Sequence, residues 1–163
     1  CDIKEHYNIK SIITNIINNF TGKFMQKYPK YSSIRVKGKP LWYYAKNNLL
    51  ENKEIPEKEI NIEKLEYLNN YILNYDEFIK IINTRINSIN KKYDFRQNDI
   101  LKKWNNLNNN IHNINIIHFR TNVSCGTYIR QLVNDISSYL KIPLTTFEIH
   151  RIQVGKYKIE NIN

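Results

Sequence analysis

The amino-acid sequence predicts an α+β fold with a mixed or antiparallel sheet and packed helices. Apolar residues recur at helical spacing in two segments and alternate in strand fashion in several others. The elements follow the order helix, strands, short helix, strand, insertion, strand, helix, strand, which lacks the regular alternation of a doubly wound parallel sheet. The 163 residues suffice for one domain with a hydrophobic core.

Apolar positions three and four residues apart predict two long helices. A short helix over residues 41–47 follows Pro40, because proline is favoured in the first helical turn. The long helices span residues 6–20, with Ile9, Ile12, Ile13, Ile16, Ile17 and Phe20 on one face, and residues 127–140, with Ile129, Leu132, Val133 and Ile136 on one face.

Alternation of apolar and polar residues predicts the strands. Short strands are expected between residues 20 and 40, where Gly22 and Pro29 interrupt the pattern and "KGKP" predicts a turn. Further strands are expected over residues 56–68 and 113–123. A last strand or strand pair is expected over residues 145–157.

Residues 66–112 differ from the rest of the chain because they are rich in asparagine. Their apolar spacing is helical, as in "DEFIKIINTRINSIN" and "NDILKKWNNLNNNI". We interpret this segment as an inserted helical arm or a partly disordered loop. As an insertion, it should lie outside the sheet core.

The formal net charge of +10 favours a polyanionic partner, for which nucleic acid is the usual candidate. A basic protein without such a partner is the alternative. Cys1 and Cys125 do not make a disulfide framework, which favours a reducing intracellular setting. We expect no membrane association, since no apolar run reaches spanning length.

Several common catalytic patterns are missing from the sequence. There is no phosphate-binding loop, dinucleotide-binding glycine pattern or Gly-x-Ser-x-Gly elbow. Cys125 lies just before a predicted helix N-terminus, where a thiol pKa can fall, but no nearby residue stands out as its base. No metal site is expected, because none of the four histidines has close cysteine or carboxylate partners: His6, His112, His118 and His150.

Arg130 stands out within "SCGTYIRQLVNDI", residues 124–136, because it falls in the first turn of the predicted helix. A cation there is disfavoured by about 0.3–1 kcal/mol, since the helix dipole is positive at its N-terminus. Arg130 is therefore either a solvated surface residue or the partner of a carboxylate that offsets this cost.

Three segments together resemble the TruB-type tRNA pseudouridine synthases. Residues 124–136 resemble that family's Ser-x-Gly-Thr-Tyr-Ile-Arg-x-Leu-x-x-Asp, and residues 147–157 resemble its Leu-x-Arg-Arg-x-x-x-Gly-x-Phe/Tyr, with Ile149 for Leu and His150 for the first Arg. Ser137 and Lys141 depart from glycines that are frequent in the family. The first segment, residues 20–46, keeps Phe20, Gly22, Gln26, Tyr31, Ser32, Gly38, Trp42 and Ala45 of the family pattern.

The resemblance implies a role for three residues. Arg130 would pair with the catalytic aspartate, which a guanidinium can orient through two charge-assisted hydrogen bonds. Tyr128 would line the uridine pocket. Ile149 would pack against the base. The equal alternative is that Ile149 is a plain residue of the hydrophobic core. The resemblance assigns no role beyond structure to Asp135.

The resemblance also implies the reaction, isomerisation of the T-loop uridine at position 55 of tRNA, with no metal or organic cofactor. No aspartate of this chain has the family's Gly-x-Leu-Asp-Pro context. We therefore expect residues 1–163 to be the C-terminal part of a catalytic domain, inactive alone and monomeric. Candidate contacts to the tRNA backbone are Lys23, Lys27, Arg35, Lys37, Lys39 and Arg151.

Two alternatives remain open at this point. One is the guide-RNA-dependent, dyskerin-like branch of the same superfamily, although "YSSIRVKGKPLWYYAK" favours the stand-alone tRNA branch. The other is a non-catalytic RNA-binding module that keeps the scaffold without the aspartate. An upstream Gly-x-Leu-Asp would distinguish the enzyme from the binding module.

Overall fold

The computed structural model describes residues 9–50, 55–90, 92, 94–107 and 111–159. Its helices and strands alternate irregularly along the chain, as the predicted fold class requires. In chain order they are α1 (Ile9–Phe20), β1 (Gly22–Lys27), β2 (Arg35–Val36), β3 (Lys39–Pro40), α2 (Leu41–Lys46), β4 (Glu57–Asn74), α3 (Tyr75–Asn87), α4 (Gln97–Asn105), β5 (Asn113–Val123), α5 (Ile129–Leu140), β6 (Gln153–Val154) and β7 (Tyr157–Lys158).

The main sheet has three strands in the order β1-β4-β5. Strand β1 runs antiparallel to β4, with Gly22 opposite Ile62 and Lys27 opposite Glu57. Strands β2 and β3, and likewise β6 and β7, form two-residue antiparallel ladders. The predicted α+β class is confirmed.

No helix among the described residues is both long and apolar enough to span a bilayer.

The chain divides into two compact units. Unit one comprises Cys1–Asn18 and Leu65–Arg120, and unit two comprises Asn19–Lys64 and Thr121–Asn163. Strands β4 and β5 each contribute residues to both units. The core of unit two includes Leu41 and Ile62, which are fully buried. Complete burial of such a side chain stabilises a fold by about 1.5–3 kcal/mol.

Within unit one, helices α3 and α4 form a pair with a small core of their own. Phe78 is 2% exposed, and its ring lies 5.4 Å from that of Trp104 in an edge arrangement. The Tyr75 hydroxyl donates to the Trp104 carbonyl oxygen at 3.0 Å. The Tyr75 N–H donates to the His112 carbonyl oxygen at 2.9 Å. The two ends of the segment between these residues are therefore adjacent.

The structure differs from the sequence expectation in two segments. Strand β4 extends beyond the predicted end at residue 68, so that residues 69–74 are extended and not helical, because β4 is hydrogen-bonded to β5 and Asn74 caps the helix that follows. Residues 145–152 form no strand, although their sequence alternates, because no described strand lies beside them to complete a ladder. Residues 91, 93 and 108–110 of the expected insertion lie outside the described residues.

Candidate active site

The turn before α5 is attached to strand β4 of the same unit. The Ser124 N–H donates to the Asn61 carbonyl oxygen at 2.8 Å, and the Asn61 N–H donates to Ser124 Oγ at 2.9 Å. Ser124 Oγ also lies 3.3 Å from Thr127 Oγ1. These bonds fix the position from which helix α5 starts.

Gly126 occupies the middle of this turn with a φ of +83°, in the left-handed region that favours glycine. Next to it, Lys58 Nζ donates to the Cys125 carbonyl oxygen at 2.7 Å. A Cβ atom at position 126 would overlap Lys58 Nζ. The turn thus favours glycine for its backbone conformation, and a larger residue would also require the Lys58 side chain to move.

Tyr128 is the N-cap residue of α5 and has an extended backbone. Its N–H donates to Gln26 Oε1 at 2.9 Å, and Gln26 Nε2 donates to its carbonyl oxygen at 3.2 Å. The same carbonyl oxygen accepts the first helical bond from Leu132 at 3.0 Å. The Tyr128 ring lies edge-on to Tyr28, with 5.8 Å between the ring centroids.

Arg130 is the second residue of α5 and is exposed, as is the free Cys125 thiol nearby. The first turn of α5 contains no acidic residue. None of the described residues forms an ion pair with the Arg130 guanidinium. The guanidinium is therefore accessible to a carboxylate from elsewhere, and its pairing with a catalytic aspartate stays a prediction.

The sequence of this chain is similar to those of known proteins. The sequence profile described as TruB family pseudouridylate synthase (N terminal domain) matches residues 3–81. The chain is 29% identical over 154 residues to the tRNA pseudouridine synthase B of Staphylococcus aureus strain JH9, and 93% of the chain is covered. Such an alignment necessarily includes the turn and the first turns of α5. The chain is therefore similar to TruB family proteins along most of its length.

The TruB relatives are considerably longer than this chain. The aligned region covers 37% of the Staphylococcus aureus protein. The tRNA pseudouridine synthase B of Clostridium tetani is 28% identical over 149 residues, which cover 91% of this chain and 36% of the relative. The similarity is thus spread along nearly the whole chain, including its C-terminal half.

Ile149, the third residue assigned from the TruB resemblance, lies in a segment without regular secondary structure and is 47% exposed. The alternative reading of Ile149 as a plain core residue is therefore wrong. His150, which replaces an arginine of the TruB pattern, contacts Glu148 through Nε2 at 2.7 Å. The contact of Ile149 with a base stays a prediction.

The basic residues predicted to bind RNA are all exposed, and all belong to unit two. Two of them have neighbours that matter for binding: Lys27 Nζ lies 3.7 Å from a Glu57 carboxylate oxygen, and Lys39 Nζ lies 4.2 Å from the Tyr43 ring centroid. An exposed ion pair contributes only about 0–1 kcal/mol, so it leaves Lys27 available to a phosphate. The six residues are Lys23, Lys27, Arg35, Lys37, Lys39 and Arg151.

Asp135 lies one helical turn beyond Gln131 on α5. Burial raises the pKa of its carboxyl above the ordinary value of 3.8, while hydrogen bonds from Gln131 and Gln26 and the charge of Lys27 lower that pKa. Burial outweighs the other effects, because the pKa is raised overall. The bond from Gln131 Nε2 to Asp135 Oδ1 measures 2.8 Å.

We expect this carboxyl to make folding stability depend on pH. A raised folded-state pKa means that the folded protein binds the proton more tightly than the unfolded chain. The contribution is therefore complete below about pH 3.8 and is lost as the pH rises through the folded value. The stability of the wild type relative to Asp135→Asn should rise as the pH falls from 7 to 4.

Urea unfolding of both proteins at several pH values measures this difference, and subtraction removes the contributions of all other titrating groups. A difference that stays constant, or that moves in favour of Asp135→Asn in acid, would show that burial does not dominate at this carboxyl.

Sequence reasoning recognised Gln26 only as a position shared with the TruB pattern. A signal was nevertheless present, because Gln26 lies two residues after Phe24 and therefore on the same face of the strand. The structure shows that this face is buried at Gln26, which is 3% exposed. A polar residue at an inward-facing position of a strand needs hydrogen-bond partners. The sequence could not show that the partner is Tyr128, 102 residues away.

Proposed function

We propose that the full-length protein containing this chain is a tRNA pseudouridine synthase that isomerises the T-loop uridine at position 55. One observation carries the proposal: the turn of residues 124–128, bonded to β4 and to Gln26, presents Tyr128 and Arg130 at the start of α5 in a chain that is similar to TruB proteins. The relatives that match the chain are tRNA pseudouridine synthases B, which favours the stand-alone tRNA branch over the guide-RNA-dependent one.

The reaction is an isomerisation and consumes no second substrate. The bond between N1 of uracil and C1′ of ribose breaks, the base turns, and C5 bonds to C1′. The proton on C5 leaves, and N1 acquires a proton, so that atoms and charge balance. An enzyme reaches this bond by flipping the nucleotide out of its stack into a pocket.

The described residues suit defined parts of this chemistry. Arg130 would orient the catalytic aspartate, since its guanidinium is exposed and has no carboxylate partner among the described residues. Tyr128 would line the pocket wall, and its backbone is fixed for that purpose by the bonds to Gln26. Ile149 would supply an exposed apolar side chain to the face of the base.

Affinity for tRNA would come largely from charge. Lysines and arginines outnumber acidic residues in unit two, and the six candidate residues there are exposed. Each phosphate that is neutralised releases counterions, so binding should weaken steeply as salt rises. We propose tRNA as the binding partner and name no other.

We also propose that the chain forms the C-terminal part of the catalytic domain. Of the insertion expected at residues 66–112, residues 66–74 belong to strand β4 of the sheet, so the proposed peripheral part is residues 75–112. The separate contacts of α3 with α4 support this interpretation, as does the hydrogen bond between Tyr75 and His112 at the ends of the helical segment.

The test uses the full-length protein and a tRNA transcript that carries tritium on C5 of uridine. Formation of the new C5 bond should release tritium to water, and replacing the uridine at position 55 by cytidine should abolish the release. A folded protein that binds this tRNA without releasing tritium would support the RNA-binding module. Release that requires an added guide RNA would support the guide-dependent branch.

A further inference from the structure

Gln26 connects two distant parts of unit two through its side chain. It lies on β1, opposite Lys58 of β4, and only 3% of its surface is exposed. Burial of a carboxamide is unfavourable unless its donors and acceptor are satisfied. Gln26 satisfies both sides of its amide group with the main chain of Tyr128, at 2.9 and 3.2 Å.

This two-point contact constrains more than the stability of the fold. Because the Tyr128 N–H and carbonyl group are both bonded to one side chain, rotation of the Tyr128 backbone would break at least one bond. The direction in which the Tyr128 side chain leaves the backbone is thereby restricted. The carbonyl group also accepts the first helical bond of α5 from Leu132, so the start of the helix that carries Arg130 is tied to β1.

Asp135 favours one orientation of the Gln26 amide. Its position seven residues after Tyr128 brings it to the same side of α5. A carboxylate only accepts hydrogen bonds, so the Gln26 hydrogen bond that lowers the Asp135 pKa comes from Nε2, in agreement with the bond from Nε2 to the Tyr128 carbonyl oxygen. That orientation leaves Oε1 for the Tyr128 N–H.

We infer that Gln26 is a positioning residue of the active site, whose carboxamide fixes the main chain of Tyr128 and hence the pocket tyrosine and the first turn of α5. The inference rests on the proposed function. It concerns a residue that does not itself reach the base. Loss of the contact should therefore slow turnover by misplacing groups, without weakening the binding of tRNA.

The first test replaces Gln26 by methionine in the full-length protein, because methionine is similar in size and has no amide. Single-turnover tritium release at saturating enzyme should slow between about tenfold and a hundredfold, the range expected when a catalytic group is misplaced by about 1 Å. The Kd for tRNA should stay within threefold of that of the parent, because the exposed basic residues proposed to contact phosphates are unchanged.

Ser137→Ala is the matched control. Ser137 Oγ donates to the Ile142 carbonyl oxygen at 2.7 Å and accepts from the Leu144 N–H at 3.2 Å. Like Gln26, it makes two hydrogen bonds to the main chain, but at the opposite end of α5. The Ser137→Ala protein should be less stable than the parent but should keep the parental turnover when both proteins are assayed below their unfolding temperatures.

A second variant, Gln26→Glu, gives a readout that a merely structural role would not produce. A protonated carboxyl offers one donor and one acceptor, as the amide does, whereas the ionised form lacks the donor. Turnover of Gln26→Glu relative to the parent should therefore recover as the pH falls. The charged and titratable groups around this position are Asp135 of α5, Lys58 of β4, the neighbouring Lys27 and the phenols of Tyr28 and Tyr128.

The possible results separate the inference from the proposed function. An inactive parent protein would overturn the proposed function, whatever the variants do. An active parent with Gln26→Met turnover within a factor of two, or with Gln26→Glu unresponsive to pH, would overturn the role of Gln26. Should Gln26→Met fail to fold, amide exchange of the parent decides: rapid exchange of the Tyr128 N–H in the folded protein would contradict the contact, and slow exchange, together with acid recovery of Gln26→Glu, would support it.

Discussion

Arg130→Ala in the full-length protein is expected to lower the rate of uridine isomerisation about a hundredfold while leaving tRNA affinity nearly unchanged. The proposed task of Arg130 is to orient a carboxylate, and a misplaced catalytic group affects the chemical step more than binding. Its exposed guanidinium at the start of α5 is available for that contact. Single-turnover rates and Kd values, measured in parallel, separate the two effects.

Arg130→Lys should lower the rate of isomerisation nearly as much, because an ammonium group cannot reproduce the two-point contact of a guanidinium with a carboxylate. Arg120→Ala serves as the control, since Arg120 is an exposed arginine of β5 to which no role is assigned. Parental turnover in either Arg130 variant would show that Arg130 is an ordinary surface residue without a role in catalysis. Weaker binding with normal turnover would make it a phosphate contact.

Gly126→Ala should destabilise the protein by about 1–3 kcal/mol, the usual cost of a strained non-glycine backbone conformation. Two effects contribute. The φ of +83° is unfavourable for alanine, and the new Cβ would displace Lys58 Nζ from its hydrogen bond to the Cys125 carbonyl oxygen. Denaturant unfolding measures the loss, and turnover should fall because the displaced turn leads directly into Tyr128.

Gly38→Ala isolates the backbone contribution. Gly38 has the same φ of +83°, and a Cβ there would meet no atom within 4 Å. The excess cost of Gly126→Ala over Gly38→Ala should thus reflect Lys58. In a Lys58→Ala background that excess should vanish. Equal costs in the wild-type background would show that the lysine moves aside freely and that only the backbone requires glycine.

Local patterns in the sequence were sufficient to predict most of the elements. Helices α1 and α5 and strands β4 and β5 were predicted because apolar spacing within one segment records which of its faces is buried. The same patterns failed for residues 69–74 and 145–152. Whether an extended segment becomes a strand depends on a partner strand, which is a property of distant residues.

Some features of the candidate site were likewise predictable from the sequence, and others were not. The sequence by itself determined the chemical groups: the Gly-Thr-Tyr-Ile-Arg motif, the helix that follows it and the excess of basic residues. Only the tertiary structure decided that Gln26 bonds to the Tyr128 main chain, that Lys58 lies against Gly126, and that Ile149 is exposed. These contacts join residues far apart in sequence, and they form only when β1, β4 and the turn before α5 pack together, so no local pattern encodes them.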